Sequence, residues 1–175
     1  MKMQRFPPMP EPDARPPREP SVAVVALGSN LGDRAGTLEA AADEIRRLPL
    51  VDEVVLSPVV RSVAVTLAGP DPSKPEYLNA VALVRTRLAP TVLLGYLHRI
   101  ETEHGRERRE RWGDRTLDLD IVAYGDLRSD DPRLTLPHPR AHERDFVLEP
   151  WLQIDPDAVL PGYGRVADLL AELRS

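Results

Sequence analysis

Residues 22–48 read VAVVALGSNLGDRAGTLEAAADEIRRL, and this stretch decides the fold. Its first part, 22–27, is an apolar run with the length of a buried strand, and a glycine-bearing turn follows it directly at 28–33. Asp33 can cap a helix, after which leucine, alanine and isoleucine recur at helical spacing as far as Leu48. The stretch therefore predicts a β-strand that passes through a tight turn into an amphipathic helix.

The rest of the chain continues with the same two kinds of element. The elements predicted after the first helix are strands over 51–61 and 77–87, a helix over 90–104, a strand over 116–124 and a final helix over 165–173. Pro58 should break or border the second strand, and Pro90 suits the first turn of the second helix. The order strand, helix, strand, strand, helix, strand is that of the ferredoxin-like βαββαβ fold. We therefore expect an α+β protein with an antiparallel-rich sheet and C-terminal additions.

Length and composition favour one domain with a tail. The chain has 175 residues, of which 42% are apolar, and this is enough for one core. Residues 1–20 are crowded with proline and charge, so we expect a disordered tail there and a single domain over 21–175. Residues 63–76 hold three prolines and a glycine, which indicates a loop longer than a hairpin needs.

Composition also argues against several classes of protein. There is no cysteine, so neither a disulfide framework nor a thiolate metal site can form. No segment has the pattern of a membrane span or a secretory signal, so we expect a cytoplasmic protein with no membrane partner. A net charge of −5, with only two tryptophans, four tyrosines and two phenylalanines, argues against nucleic acid as a partner. We expect a monomer.

The sequence TLDLDI at 116–121 places two carboxylates on one side of a strand. With a period of two, the three apolar residues share one face, and Asp118 and Asp120 share the other. Neighbouring carboxylates repel unless a cation neutralises them, and Mg²⁺ bound together with substrate phosphates suits such a pair of oxygen ligands. An isolated pair of this kind is more often the solvated face of a half-buried strand.

Five arginines stand in the eleven residues before this strand, GRERRERWGDR at 105–115. Guanidinium groups bind phosphate oxygens in a bidentate manner and neutralise charge that develops in phosphoryl transfer. The alternative is a solvated loop in which acidic neighbours partly cancel the arginines. Together with the two aspartates, the segment favours a site for a triphosphate.

Three further motifs bear on ligand binding. In YLNA at 77–80, Tyr77 and Asn79 share a strand face, where a ring and an amide suit a flat heterocycle, although ordinary sheet packing more often explains such a pair. His138 and His142 have the spacing of a zinc pair but lack a third ligand, so zinc is not our first choice. The turn at 28–33 matches neither a P-loop nor a dinucleotide-binding fingerprint.

These motifs coincide with those of a known family, because the sequence resembles the 6-hydroxymethyl-7,8-dihydropterin pyrophosphokinases. The matching stretches are ALGSNLGDR at 26–34, YLNAV at 77–81, RIE at 99–101, RWGDRTLDLDI at 111–121 and LPHPRAHERDFVLEP at 136–150. The resemblance implies a ferredoxin-like enzyme of folate biosynthesis that transfers diphosphate from ATP to the hydroxymethyl dihydropterin. It also implies two Mg²⁺ ions, bridged by Asp118 and Asp120.

The resemblance further implies a role for each matching residue. The catalytic positions match Arg106, Arg115, Asp118 and Asp120. The ATP-binding positions match Glu101, Arg108, Arg111, Trp112, His138 and Arg144. The pterin-binding positions match Gly28, Ser29, Asn30, Tyr77, Asn79, Asp118 and Phe146. In this arrangement Tyr77 and Phe146 sandwich the pterin ring, and Asn79 and the backbone of 28–30 face its polar edge.

The chain also departs from the family pattern. In the loop after the second strand, where the family usually has T-x-P and a glycine, this chain has Ser62 followed by VAV at 63–65, and Lys74 stands where a glutamine is usual. The segment before Trp112 is shorter than usual, which leaves open whether Arg108 or Arg109 contacts ATP.

Two other functions therefore stay in consideration. The altered loop is the support for a non-catalytic protein that keeps the fold and binds nucleotide or pterin. The predicted fold is the support for an RNA-binding module, because ferredoxin-like sheets can stack bases on aromatic side chains.

Overall fold

The computed structural model describes residues 19–30, 32–66, 68–105 and 117–175. In chain order the strands are β1 (Ser21–Ser29), β2 (Val51–Leu56), β3 (Val60–Ser62), β4 (Val65–Thr66), β5 (Gly69–Pro70), β6 (Tyr77–Thr86), β7 (Asp118–Tyr124), β8 (Ser129–Asp131), β9 (Leu134–Leu136), β10 (Val159–Leu160) and β11 (Gly164–Arg165). The helices are α1 (Arg34–Arg46), α2 (Pro90–Gly105), α3 (Asp145–Ile154) and α4 (Val166–Leu173), with a short 3₁₀ turn at Ala141–Glu143. The structure is mixed α/β, and the predicted tail, apart from its last two residues, lies outside the described ranges.

The first helix begins as the sequence predicts. The Asp33 side chain accepts a hydrogen bond from the Gly36 N–H at 3.0 Å, which satisfies one of the free N–H groups of the first turn. The helix ends at Arg46, shortly before the predicted end at Leu48. The predicted strand, turn and helix are therefore confirmed.

The main sheet is antiparallel and has the strand order β2-β6-β1-β7. β3 pairs with β6 beyond the end of β2, so the interruption predicted at Pro58 is confirmed. Ser57 closes this break, because its N–H donates to the Val81 carbonyl and its hydroxyl accepts from the Val81 N–H, both at 2.9 Å. After this break the chain continues as β3, which pairs with the first residues of β6.

Helices cover both faces of this sheet. On one face α1 and α2 contribute Leu38, Ile45 and Leu97 to a core that includes Val25 of β1. On the other face α3 and α4 contribute to a second core, which contains Val24 of the same strand. A strand between two cores buries both of its alternating sets of side chains, which explains the continuous apolar run of β1.

The two cores also correct a prediction for β7. The period of two predicted for TLDLDI does not continue to the end of the strand, because its last four residues, from Ile121 to Tyr124, are all buried. Val122 lies in the second core, whereas Ile121 and Tyr124 lie in the first. Alternation therefore holds only at the start of the strand, where the two aspartates lie.

Several elements were not predicted from the sequence, and most of them lie in the C-terminal third. Pro150 lies inside α3, where it removes one backbone donor and usually breaks a helix. The helix forms because Val147, Leu148 and Trp151 are buried in the second core. The hairpins β4–β5, β8–β9 and β10–β11 were also not predicted, and the first of them lies in the segment 63–76 that was expected to be a plain loop.

None of the helices in the described ranges has the length and apolarity that crossing a membrane requires.

Candidate active site

A pocket of about 220 Å³ opens where β1 ends and β6 and β7 begin. Seven of the residues predicted for the site lie in its wall, namely Gly28, Tyr77, Asn79, Asp118, Asp120, Arg144 and Phe146. They come from three neighbouring strands and from the start of α3. The structure therefore brings together residues that are far apart in the sequence.

Strand register places a glycine at the floor of this pocket. Gly28 lies opposite Asn79 on β6 and opposite Asp118 on β7. Directly paired residues of antiparallel strands point to the same face, so the amide and the carboxylate flank the glycine. A Cβ at position 28 would lie 3.3 Å from Asn79 Oδ1 and 3.7 Å from the Tyr77 ring. The missing side chain therefore leaves room for a ligand between them.

Asp118 and Asp120 form the acidic part of the pocket. Both are half-buried, and Asp120 lies opposite the small residue Ala26 on β1. Within the described ranges no group of three or more histidine, cysteine, aspartate or glutamate residues could hold a metal ion. Two carboxylates nevertheless suit Mg²⁺, which usually takes one or two protein carboxylates and completes its shell with water and substrate phosphates.

Glu101 supports the strand that carries these aspartates. Its Oε2 accepts a hydrogen bond from the Leu119 N–H at 3.1 Å. In the described sheet β7 is an edge strand, so every second N–H group of β7 points away from β1. The N–H of Leu119, between Asp118 and Asp120, is one of these groups, and Glu101 accepts its hydrogen bond. The resemblance implies that Glu101 binds ATP, and the structure shows one oxygen of its carboxylate bound to the backbone of β7.

His138 lies close to the acidic pair. Its Nδ1 accepts a hydrogen bond from the Arg140 N–H at 3.2 Å, so the proton of the neutral ring is on Nε2. Burial lowers the pKa of His138, and Arg144 and Arg140 lower it further, while Asp120 acts in the opposite direction. A lowered pKa keeps the ring neutral at pH 7, with Nε2–H as a donor.

Arg144 and Phe146 enter the pocket from the start of α3. The guanidinium carbon of Arg144 lies 5.8 Å from the centroid of the Phe146 ring, which is within cation–π range. Arg144 precedes the helix in an extended conformation, and Phe146 lies in its first turn. This junction delivers a cation and an aromatic ring to the pocket that Tyr77 lines from β6.

Other predicted residues lie elsewhere. Ser29 and Asn30 are buried, but the described wall of the pocket does not include them. Asn30 lines a neighbouring hollow beside Gly32 and Arg34, and its side-chain amide has no hydrogen-bond partner among the residues described. The predicted residues outside the described ranges are Arg106, Arg108, Arg111, Trp112 and Arg115.

Six residues of the pocket wall were not predicted as site residues, and Ser62 and Val63 are the two of these that lie in and just after β3. These two appeared only as departures from a family pattern. The resumption of a strand after Pro58 was the available signal, because it places Ser62 opposite Tyr77.

Comparison with known proteins points to one family. The family model described as 7,8-dihydro-6-hydroxymethylpterin-pyrophosphokinase matches residues 24–156. The chain is 43% identical over 150 residues to the 2-amino-4-hydroxy-6-hydroxymethyldihydropteridine pyrophosphokinase of Haemophilus influenzae, a match that covers 86% of this chain and 91% of that protein. It is 44% identical over 147 residues to the enzyme of the same name from Pseudomonas aeruginosa, covering 84% of this chain and 88% of that one.

A solved structure with the same fold is Plasmodium falciparum HPPK-DHPS, wild type with pteroate. It matches 88% of this chain with a TM-score of 0.59 and 12% sequence identity. The match covers 42% of the Plasmodium chain, so this chain spans less than half of it. The structural likeness supports the fold, and the sequence matches above support the family. The chain belongs to the 7,8-dihydro-6-hydroxymethylpterin-pyrophosphokinase family.

Proposed function

We propose that this chain transfers the terminal diphosphate of ATP to 6-hydroxymethyl-7,8-dihydropterin, giving AMP and the pterin diphosphate, as one step of folate biosynthesis. Membership of the pyrophosphokinase family supports the reaction. The structural observation that carries the proposal is one pocket lined by two aromatic rings, an amide and two carboxylates. This combination suits a flat heterocycle whose reactive arm points toward a metal-bound phosphate chain.

The pterin end of the pocket is the aromatic part. Tyr77 and Phe146 both line the space above Gly28, and flat π-systems stack favourably on aromatic rings. Asn79 adds a buried amide that can read the polar edge of the ring. We propose that the pterin lies between the two rings with its edge against Asn79.

The phosphate end is the acidic and cationic part. Asp118 and Asp120 would hold two Mg²⁺ ions, which neutralise the carboxylates and screen the charge of the phosphates when bound. The Nε2–H of His138 and the guanidinium of Arg144 would donate to anionic oxygens. In addition we propose, from the sequence, that Arg106 and Arg115 are catalytic, and that Arg108, Arg111 and Trp112 bind ATP.

The proposed chemistry is a single in-line displacement. The hydroxymethyl oxygen of the pterin attacks the β-phosphorus of ATP, and the bond from that phosphorus to the oxygen bridging it to the α-phosphorus breaks as AMP leaves. No covalent intermediate on the protein is needed. The residues of this chain contribute by holding the two substrates in line and by stabilising the transferred charge.

Further parts of the proposal concern the chain as a whole. The antiparallel order β2-β6-β1-β7 with two helical connections supports a ferredoxin-like arrangement. We propose that residues 21–175 form one domain that acts as a monomer in the cytoplasm, where ATP is available.

The direct test is AMP formation by the full chain with ATP, Mg²⁺ and 6-hydroxymethyl-7,8-dihydropterin. We expect AMP only when all three are present, and chelation of the metal should stop its release. If both ligands bind by calorimetry but no AMP forms, the chain is a binding protein with the fold of an enzyme.

Glu101→Ala should lower kcat by about 10- to 100-fold, because a misplaced catalytic group costs roughly that much. The substitution leaves the Leu119 N–H without its acceptor, so the end of β7 that carries the aspartates loosens. Steady-state AMP formation measures the effect. Glu103→Ala is the matched control, because Glu103 lies on the same helix and pairs with the exposed side chain of Arg99 in a weak ion pair at 3.5 Å. Equal losses in both variants would contradict the role of Glu101.

A further inference from the structure

We propose that Ser62 holds the Asn79 side-chain amide in the orientation that presents its Oδ1 to the pterin. Ser62 is then a positioning residue for substrate recognition, a role that the family resemblance did not imply. The inference rests on the proposed function, because it assumes that the pocket binds a pterin.

The first support is the contact between the two side chains. The Nδ2 of Asn79 donates a hydrogen bond to Ser62 Oγ at 2.8 Å. Asn79 is only 7% exposed, so a polar atom there that lost its partner would be poorly compensated by water. The hydrogen bond is therefore a strong restraint on the amide.

The second support is the direction of the other end of the amide. Asn79 Oδ1 lies 3.3 Å from the place where a Cβ on Gly28 would stand. Gly28 has no side chain, so this oxygen faces the open floor of the pocket, whereas the nitrogen faces β3. The pocket therefore presents an acceptor at its floor.

The third support is the way the fold brings Ser62 to this place. On the paired strands β3 and β6, Ser62 lies opposite Tyr77, and Val60 lies opposite Asn79. Ser62 and Asn79 are thus diagonal neighbours, a separation that polar side chains can span. Ser62 also lines the pocket itself, so its hydroxyl acts at the wall and not behind it.

A primary amide has nearly the same shape in both orientations, so packing alone does not choose between them. A serine hydroxyl can accept from Nδ2 or donate to Oδ1, and in the structure it accepts from Nδ2, which leaves Oδ1 toward the pocket. The dihydropterin edge carries N–H donors, and an oriented Oδ1 can accept from one of them. Without the Ser62 hydroxyl the Asn79 amide can rotate. In part of the population the amide then turns its own N–H groups toward the N–H donors of the pterin, which weakens binding.

The experiment measures binding of 6-hydroxymethyl-7,8-dihydropterin by calorimetry in the presence of Mg²⁺ and α,β-methylene-ATP, which cannot react. Ser62→Ala should weaken binding by about 3- to 10-fold, the usual effect of one hydrogen bond. Ser62→Thr retains the hydroxyl and should bind within about twofold of the original chain. Thr135→Ala is the matched control, because it removes a hydroxyl that donates only within the β8–β9 hairpin.

Kinetics and a double-mutant cycle separate positioning from general damage. Ser62→Ala should raise the KM for pterin by the same factor and leave kcat and the KM for ATP almost unchanged. In an Asn79→Ala background the same substitution should have almost no effect, because the amide it orients is absent. Equal losses in both backgrounds, or a loss in Ser62→Thr as large as in Ser62→Ala, would overturn the inference. If the original chain binds pterin but forms no AMP, the proposed function fails and the binding data still test Ser62.

Discussion

Replacement of Asp120 by asparagine should reduce the rate of AMP formation by about 10³-fold, because electrostatic groups at a reacting centre contribute on that scale. Asp120 and Asp118 are the carboxylates that the described residues bring to the pocket wall. An amide keeps the shape of the side chain but removes the negative charge that holds a divalent cation. The loss should appear in kcat at saturating substrates, with a higher Mg²⁺ concentration needed for half-maximal rate.

The same substitution should not destabilise the fold. Asparagine has nearly the same volume as aspartate, so the packing around this half-buried side chain should be kept. The thermal midpoint of the chain should therefore stay close to its original value. Asp130→Asn is the matched control, because Asp130 is exposed on β8, and it should leave both the rate and the midpoint unchanged. An Asp120→Asn variant with full activity would remove the acidic pair from the proposed mechanism.

Gly28→Val should raise the KM for dihydropterin by about 100-fold, a larger effect than the loss of one hydrogen bond, because the new side chain occupies the pocket floor. Even a Cβ at this position lies 3.3 Å from Asn79 Oδ1, and the two methyl groups of valine extend further into the pocket. Valine suits a strand, so β1 should still form, with an overpacking cost of about 1–3 kcal/mol. Gly28→Ala should give a smaller rise in KM.

A second glycine provides the control for backbone effects. Gly95 is exposed in the middle of α2, and a Cβ there would meet no atom within 4 Å. Gly95→Ala should stabilise the chain by about 0.5–1 kcal/mol through the lower backbone entropy of alanine in the unfolded state, with no change in KM. If Gly28→Val binds dihydropterin as tightly as the original chain, the ring does not lie over Gly28.

Elements with a clear period were predicted well, and the strand, turn and capped helix around Asp33 were confirmed. The weakest region was 125–164, where proline and charge hide the periodicity and α3 forms around Pro150. That helix depends on burial against the second core, a contribution that propensity does not contain.

The site shows the same division. A period of two was enough to put Asp118 and Asp120 on one face, because both belong to one strand. The roles of Glu101 and Ser62 depend on contacts with other elements. Glu101 accepts a hydrogen bond from the backbone of β7, and Ser62 accepts one from the Asn79 side chain on β6. Asn30, whose backbone the resemblance placed at the edge of the pterin, is buried and lines a neighbouring hollow.

By itself the sequence determined the local elements, the pairing of the carboxylates and the family, because these depend on residue types at short spacing. Only the tertiary structure decided that Gly28 lies between Asn79 and Asp118, and that Ser62 reaches the same pocket. These neighbours are far apart along the chain, and their contacts follow from the register of antiparallel strands. A shift of one residue in that register would turn every side chain of a strand to the opposite face, so the packing of two cores against the sheet selects the arrangement that forms the site.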